Sequence, residues 1–283
     1  MKRKMLFSAA LALALCAPIF AQQAPAQPPQ PLTIWYQYTV NPGQEEAFMD
    51  LVNKVGAPVR DKLMAEGVVE AWGLDVPMLR GPNGFTHEIW VAVRDYAGAQ
   101  KVWDGMRAQL ARIADEEAKM AKKPAKTTAE RTREILDMSK TRDWLTRDLV
   151  SGFAPSMPPA GTLPFNRYNF IKVKPGKSGD YRRTWEKYNK PVFDKLTADG
   201  TILAYGLSVE EWRTEGDWTH YIWFVTKDMA ALDKIRDTFS ADRAARSQEE
   251  REAITAAFAE TIDAEASRQS ATRSLIFKLA PPK

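Results

Sequence analysis

Sliding the 283-residue sequence along itself by 133 positions (Pro42 onto Pro175) brings a long series of identities into register without a gap. Pro42-Gly43 falls on Pro175-Gly176, Pro58-Val59 on Pro191-Val192, and Asp61-Lys62-Leu63 on Asp194-Lys195-Leu196. Gly67, Gly73-Leu74, Arg80, Thr86-His87, Ile89-Trp90 and Asp95 meet Gly200, Gly206-Leu207, Arg213, Thr219-His220, Ile222-Trp223 and Asp228. Self-similarity at one fixed, domain-sized offset requires a structural unit present twice. Whatever one copy folds into, the other must fold into as well, so every element can be read in two versions.

Thr33 to Val40 and Arg167 to Val173 are rich in β-branched and aromatic residues and run into Pro-Gly, which predicts first strands. A helix follows in each copy. Phe48, Val52, Val55, Val59 and Leu63 in one, and Tyr181, Trp185, Tyr188, Val192 and Leu196 in the other, step by three and four along one face. Pro58 and Pro191 should kink or divide these helices, and Gly67 and Gly200 stand where a left-handed C-terminal cap belongs. Val68 to Val76 and Phe85 to Val93 form an expected hairpin through Pro82-Asn83-Gly84; Thr201 to Val209 and Trp218 to Thr226 form its counterpart through Glu215-Gly216-Asp217. Asp95 and Asp228 read as N-caps of a second helix with apolar faces Ala99, Val102, Met106, Leu110 and Leu232, Ile235, Phe239. Charged, Ala-rich helical stretches follow, roughly 110–141 and 241–270, with Ser/Thr-x-x-Glu caps at Thr127-Glu130 and Ser247-Glu250. Last strands are expected near Asp143 to Leu149 and Ser274 to Leu279. The order is β-α-β-β-α-(α)-β twice, over 32–151 and 164–280, joined by a Pro, Gly and Ser-rich linker at 152–163.

That order is the split βαβ, or ferredoxin-like, α+β arrangement. Its sheet is covered by helices on one face only, yet strands such as Thr33-Ile34-Trp35-Tyr36 are apolar or aromatic on both. Packing the two bare faces together resolves this and closes a barrel with its helices outside. The run Val173-Lys174-Pro175-Gly176, then an amphipathic helix and a hairpin carrying Ile-Trp, resembles the dimeric α+β barrel superfamily, which includes antibiotic-biosynthesis monooxygenase-like and NIPSNAP-like proteins. The resemblance implies that the two repeats pair within one chain. It also implies a range of activities, from cofactor-independent oxygenases and heme enzymes to plain binding proteins, so fold alone does not choose among them.

The first 21 residues have the layout of a secretory signal: Lys2, Arg3 and Lys4, an apolar Leu6 to Leu15, and a small residue at Ala21. Lipoprotein processing at Cys16 is the rival reading, disfavoured by Leu15 where a small residue belongs. Residues 22–31, rich in Gln, Pro and Ala, suit a disordered spacer. The formal charge is +4, of which Lys2, Arg3 and Lys4 supply three with no acid before residue 22, leaving +1 for the remainder. Nucleic-acid binding and stable membrane insertion are therefore not expected. Cys16 is the only cysteine, so a periplasmic or secreted product would contain no disulfide and no thiol chemistry.

His87 and His220 are the only histidines and occupy matching positions. They are the candidate catalytic residues, as general base or as axial ligand to heme; a hydrogen-bonded packing role inherited by duplication is the structural alternative. Two histidines make a poor metal site, and Glu88 beside one is replaced by Tyr221 beside the other. Trp90 and Trp223 lie three residues on and so point to the opposite strand face. Ile89, Val91, Ile222 and Phe224 share the histidine face, which reads as helix-facing; Thr86, Glu88 and Ala92, or Thr219, Tyr221 and Val225, share the tryptophan face, which is expected to line the barrel. Trp35, Gln37, Tyr168 and Phe170 on the first strands, and Trp72 and Tyr205 on the second, complete the candidate lining. Arg80 and Arg213 could receive a carboxylate at the mouth. No P-loop, G-x-G-x-x-G, G-x-S-x-G or H-E-x-x-H is present.

The expectation is thus an exported module holding a small apolar or aromatic molecule between two half-barrels, without a resident cofactor and with further homo-oligomerisation open. The alternatives are a cofactor-independent monooxygenase or heme protein using His87 or His220, and a structural or partner-binding protein with a filled barrel.

Overall fold

The computed structural model describes residues 30–79, 84–120, 126–156, 161–212 and 217–280. The signal and most of the spacer therefore lie outside the described residues, as do Arg80 and Arg213. The first repeat runs β1 (Leu32–Tyr38), α1 (Glu45–Leu51), a π-helical turn (Val52–Gly56), α2 (Ala57–Ala65), β2 (Val69–Pro77), β3 (His87–Val93), α3 (Tyr96–Lys119), α4 (Thr128–Ile135) and β4 (Arg142–Phe153). The second runs β5 (Phe165–Val173), α5 (Ser178–Tyr188), α6 (Lys190–Ala198), β6 (Ile202–Trp212), β7 (His220–Thr226), α7 (Ala230–Ala244), α8 (Gln248–Thr261) and β8 (Ile262–Leu279). The strands close one antiparallel barrel in the order β1-β3-β2-β8-β5-β7-β6-β4. Each repeat contributes four adjacent strands, and β2–β8 and β4–β6 are the seams between repeats.

The local signals act as their chemistry requires. Gly67 and Gly200 take positive φ of 71° and 74° behind α2 and α6. The Asp95 carboxylate accepts the Gly98 amide at 2.8 Å, and Asp228 accepts that of Ala231 at 3.0 Å. Thr127 and Glu130 form a reciprocal capping box. Pro58 and Pro191 lack the amide that would continue the ladder. In the first repeat the chain passes through the π turn before Pro58, whereas in the second it breaks at Asn189. Two buried clusters lie between sheet and helices, one per repeat, and Phe48, Val52, Val59 and Leu63 fall in the first as expected.

Two boundaries correct the sequence reading. Residues 262–270 are strand, not helix, and Gly152-Phe153, read as linker, complete β4. The composition from Asp263 to Ser270 favours helix, but β5 offers nine residues of strand edge, and residues 262–273 pair with it from Val173 to Phe165. Backbone groups on that edge need partners, and this demand overrides local propensity.

Candidate functional site

The tryptophan face of the strands turns inward. Trp35 stacks on Trp144 at 6.3 Å and meets Tyr168 and Tyr221 edge-on at 5.7 and 5.9 Å. Phe170 packs on Trp218 and Tyr221 at 5.2 and 5.9 Å. These rings form a buried aromatic cluster inside the barrel, with Trp90 and Trp223 packed against it but only half-buried. Gly73 and Gly206 explain how the two indoles fit. Each is the cross-strand partner of a tryptophan, and a Cβ there would lie 2.6 Å from the Trp90 ring or 2.5 Å from that of Trp223. The glycine and tryptophan kept in both repeats are thus one device.

The inner face is also more polar than expected. At one seam Asp75 lies opposite Ser274 and accepts hydrogen bonds from Ser274 (2.7 Å), Asn166 (2.8 Å), Tyr168 (3.2 Å) and Thr272 (3.2 Å). At the other, Asp148 lies opposite Ser208 and accepts its hydroxyl, while Trp223 Nε1 donates to Ser208 at 3.0 Å. The two seams carry the same Asp–Ser bridge with the partners exchanged between strands. Burial raises both aspartates to about 6 against these hydrogen bonds.

Glu88 is the third buried carboxyl. It sits between Gln37 on β1 and Asp75 on β2, its registered neighbours on either side. Gln37 donates to Oε2, while Oε1 is buried without a partner among the described residues. Trp90 Nε1, two residues on and facing the same way, is a buried donor equally without a partner, as is Trp218 Nε1. Desolvation, reinforced by the charge of Asp75, pushes Glu88 up to about 8. The exposed Arg268, stacked 4.9 Å above Phe170, pulls in the opposite direction. The pseudo-symmetric position is different: Tyr221 bonds Thr146 Oγ1 at 3.2 Å within the aromatic cluster. Rings from both repeats thus build the aromatic cluster, and on the repeat-1 strand β3 an acceptor, Glu88 Oε1, and a donor, Trp90 Nε1, face inward without a partner among the described residues.

Several candidates lie elsewhere. Trp72 and Tyr205, expected in the lining, are beneath the helices, where Trp72 Nε1 donates to Asp61 at 3.0 Å and Tyr205 donates to Asp194. Thr86 and Thr219 close strand ends instead of facing a ligand: they accept the amides of Val40 (2.8 Å) and Val173 (2.9 Å). His87 and His220 are also on the helix side. His87 packs 4.7 Å from Phe48 with Nδ1 3.0 Å from Thr86 Oγ1; His220 places Nδ1 2.9 Å from Thr219 Oγ1 and Nε2 2.8 Å from Ser178 Oγ. These residues do not fit axial ligation of a heme in the barrel, because the strand would have to turn over to present them, and both ring nitrogens of His220 are engaged. Among the described residues no group of three or more His, Asp or Glu is arranged to hold a metal ion, and no helix is long and apolar enough to cross a membrane. Two clefts of about 580 and 510 Å³ lie on the outer helical layers, away from all of these candidates.

No protein-family model matches the chain, and no curated sequence does. Solved structures do resemble it. A provisionally assigned monooxygenase from Fusobacterium nucleatum superposes with a TM-score of 0.56 at 11% identity, over 88% of this chain and 94% of that one. Another from Lactobacillus acidophilus gives 0.53 at 8% identity, over 89% and 97%. An anthrone oxidase-like protein gives 0.51 at 12% identity, over 90% and 95%. At such identities the likeness is one of fold: the dimeric α+β barrel, here made by two repeats of one chain.

Proposed function

We propose that this chain is a small-molecule-binding barrel whose site is the repeat-1 half of the interior, around Glu88, Gln37 and Trp90. The ligand is a compact aromatic molecule carrying a hydroxyl. The observation that carries this reading is that Glu88 Oε1 and Trp90 Nε1, two positions apart on the inward face of β3, are both buried without a partner among the described residues. Such atoms cost about 1–3 kcal/mol each when left unmade, and a hydroxyl that donates to one and accepts from the other removes both costs. The aromatic walls suit a ring. Titrating phenol and anisole against intrinsic tryptophan fluorescence tests it. Phenol should bind more tightly than anisole to the wild type, and Glu88→Leu should abolish the difference. Equal affinities in the wild type would remove the reading. Export belongs to the same proposal and is tested by finding Gln22 at the N-terminus of protein recovered from the periplasm.

A catalytic reading is favoured by one further observation. A carboxyl held near 8 beside a second near 6 is suited to proton transfer in mildly alkaline solution, where Glu88 is ionised and can take the proton of a bound phenol. The monooxygenase names of the fold relatives point the same way. Oxygen uptake in the presence of a polyhydroxylated aromatic, lost in Glu88→Gln, is its test.

A further inference from the structure

At position 60 the two repeats disagree sharply in chemistry. The 133-residue offset places Arg60 on Phe193. Phe193 is an ordinary core residue, stacked on Trp185 at 5.6 Å and Tyr205 at 5.1 Å. Arg60 is equally buried, 2% exposed, in the same layer between helix and sheet. A guanidinium in such a place is normally paired, because an unpaired buried charge is among the costliest groups a fold can hold. Here Nε and Nη1 have no hydrogen-bond partner among the described residues; Cζ lies 5.4 Å from the centre of the Trp72 ring, which also has Lys278 Nζ at 5.0 Å. The charge of the neighbouring Asp61 acts favourably on the guanidinium, but its oxygens make their hydrogen bonds elsewhere, accepting Trp72 Nε1 at 3.0 Å and Lys278 Nζ at 2.9 and 2.7 Å.

The surroundings changed together with Arg60. Tyr36, Tyr38 and Trp103 pack into this layer where the second repeat carries Asn169, Ile171 and Arg236. Both tyrosines are close enough to act electrostatically on Arg60, and desolvation raises both, so they stay neutral and do not supply the missing anion. Gly56, opposite Asn189, makes room: a Cβ there would lie 2.3 Å from Arg60 Nη1. It closes the π turn, an irregularity that recurs at functional sites and that the second repeat lacks here.

We propose that Arg60 anchors a second ligand site, between α2 and the sheet of the first repeat, which takes the carboxylate of a small organic monoacid with an apolar body. One negative charge neutralises the guanidinium and satisfies its N–H groups in the geometry arginine offers carboxylates. A dianion such as phosphate would leave an uncompensated charge among Trp72, Tyr36 and Tyr38, with Asp61 and the exposed Asp143 adding to the negative field. The aromatic walls suit an apolar body. This site is independent of Glu88, which faces the other side of the sheet.

The experiment is a thermal-denaturation titration of the full chain with benzoate, its neutral isostere benzamide, and inorganic phosphate, at constant ionic strength. Wild type should gain several degrees in Tm, saturably, with benzoate alone. Arg60→Phe, which installs the second repeat's own residue, and Arg60→Met should fold with a Tm no lower than wild type and lose the response. Glu88→Leu should keep it, which separates this site from the barrel interior. In 15N-labelled wild type the Arg60 Nε–H resonance should move on benzoate saturation, a readout independent of the variants' folding. No benzoate effect, an equal effect of benzamide or phosphate, a response surviving in both variants, or an unmoved Arg60 resonance would each overturn the proposal.

Discussion

Replacing Glu88 by glutamine isolates the energetic consequence of an unsatisfied carboxyl in the barrel. The amide keeps the shape and still accepts from Gln37, but it cannot ionise. In the wild type, folding moves the carboxyl from 4.5 to about 8, so the folded state holds a proton that the unfolded chain has released. Stability therefore falls as pH rises from about 4.5 to about 8. At about 1.4 kcal/mol per pH unit the full loss is on the order of 4–5 kcal/mol above pH 8, and about 3 kcal/mol at pH 7. Urea unfolding at a series of pH values should show Glu88→Gln equal to wild type near pH 4.5 and more stable by roughly that 3 kcal/mol at pH 7. The variant should retain a shallower decline between about pH 4 and 6, from Asp75 and Asp148, which are raised from 3.8 to about 6 and act with the same sign. Parallel curves for variant and wild type would refute the argument, since they would mean that Glu88 is ionised in the folded barrel.

Other substitutions probe the frame around the site. Gly206→Ala should cost about 1–3 kcal/mol in urea unfolding by displacing the Trp223 indole; Gly73→Ala should cost more, because its Cβ would also meet the Ile276 carbonyl at 2.8 Å. Ser208→Ala should destabilise more than Ser274→Ala: Asp148 would retain only a 3.4 Å contact with Trp223 Nε1, whereas Asp75 would keep Asn166, Tyr168 and Thr272. His87→Ala and His220→Ala should lower stability by about 0.5–3 kcal/mol while leaving the phenol-over-anisole preference intact; loss of that preference would return the histidines to the site.

The fold was legible because duplication let each weak signal be read twice. Pro-Gly turns, the Gly67 and Gly200 caps, the Asp95 and Asp228 caps and the inward tryptophan face all follow from paired residues. The long β8 was not legible, because its start is set by the exposed edge of β5 and not by its own Asp-Ala-Glu-Ala composition. The site was harder for a related reason. Residues kept in both repeats drew attention, yet most of them serve the scaffold: Thr86-His87 closes a strand end, Gly73 accommodates Trp90, and Asp61 anchors Trp72. The unsatisfied charge-bearing side chains Glu88 and Arg60 stand where the repeats diverged, against Tyr221 and Phe193. A charged residue in a slot that the other copy fills with an aromatic was the available signal. Asp75 and Asp148 lacked even that, since their partners are fixed only when the seams close.

In the proposed site, Glu88 Oε1 and Trp90 Nε1 await a ligand hydroxyl inside the barrel. A crystal structure of the protein soaked with phenol at pH 6.5 tests this most directly. The phenol ring should lie on the repeat-1 side of the interior, its oxygen within hydrogen-bonding distance of Glu88 Oε1. An interior without phenol, in which Glu88 and Trp90 are satisfied by neighbouring protein groups, would contradict it.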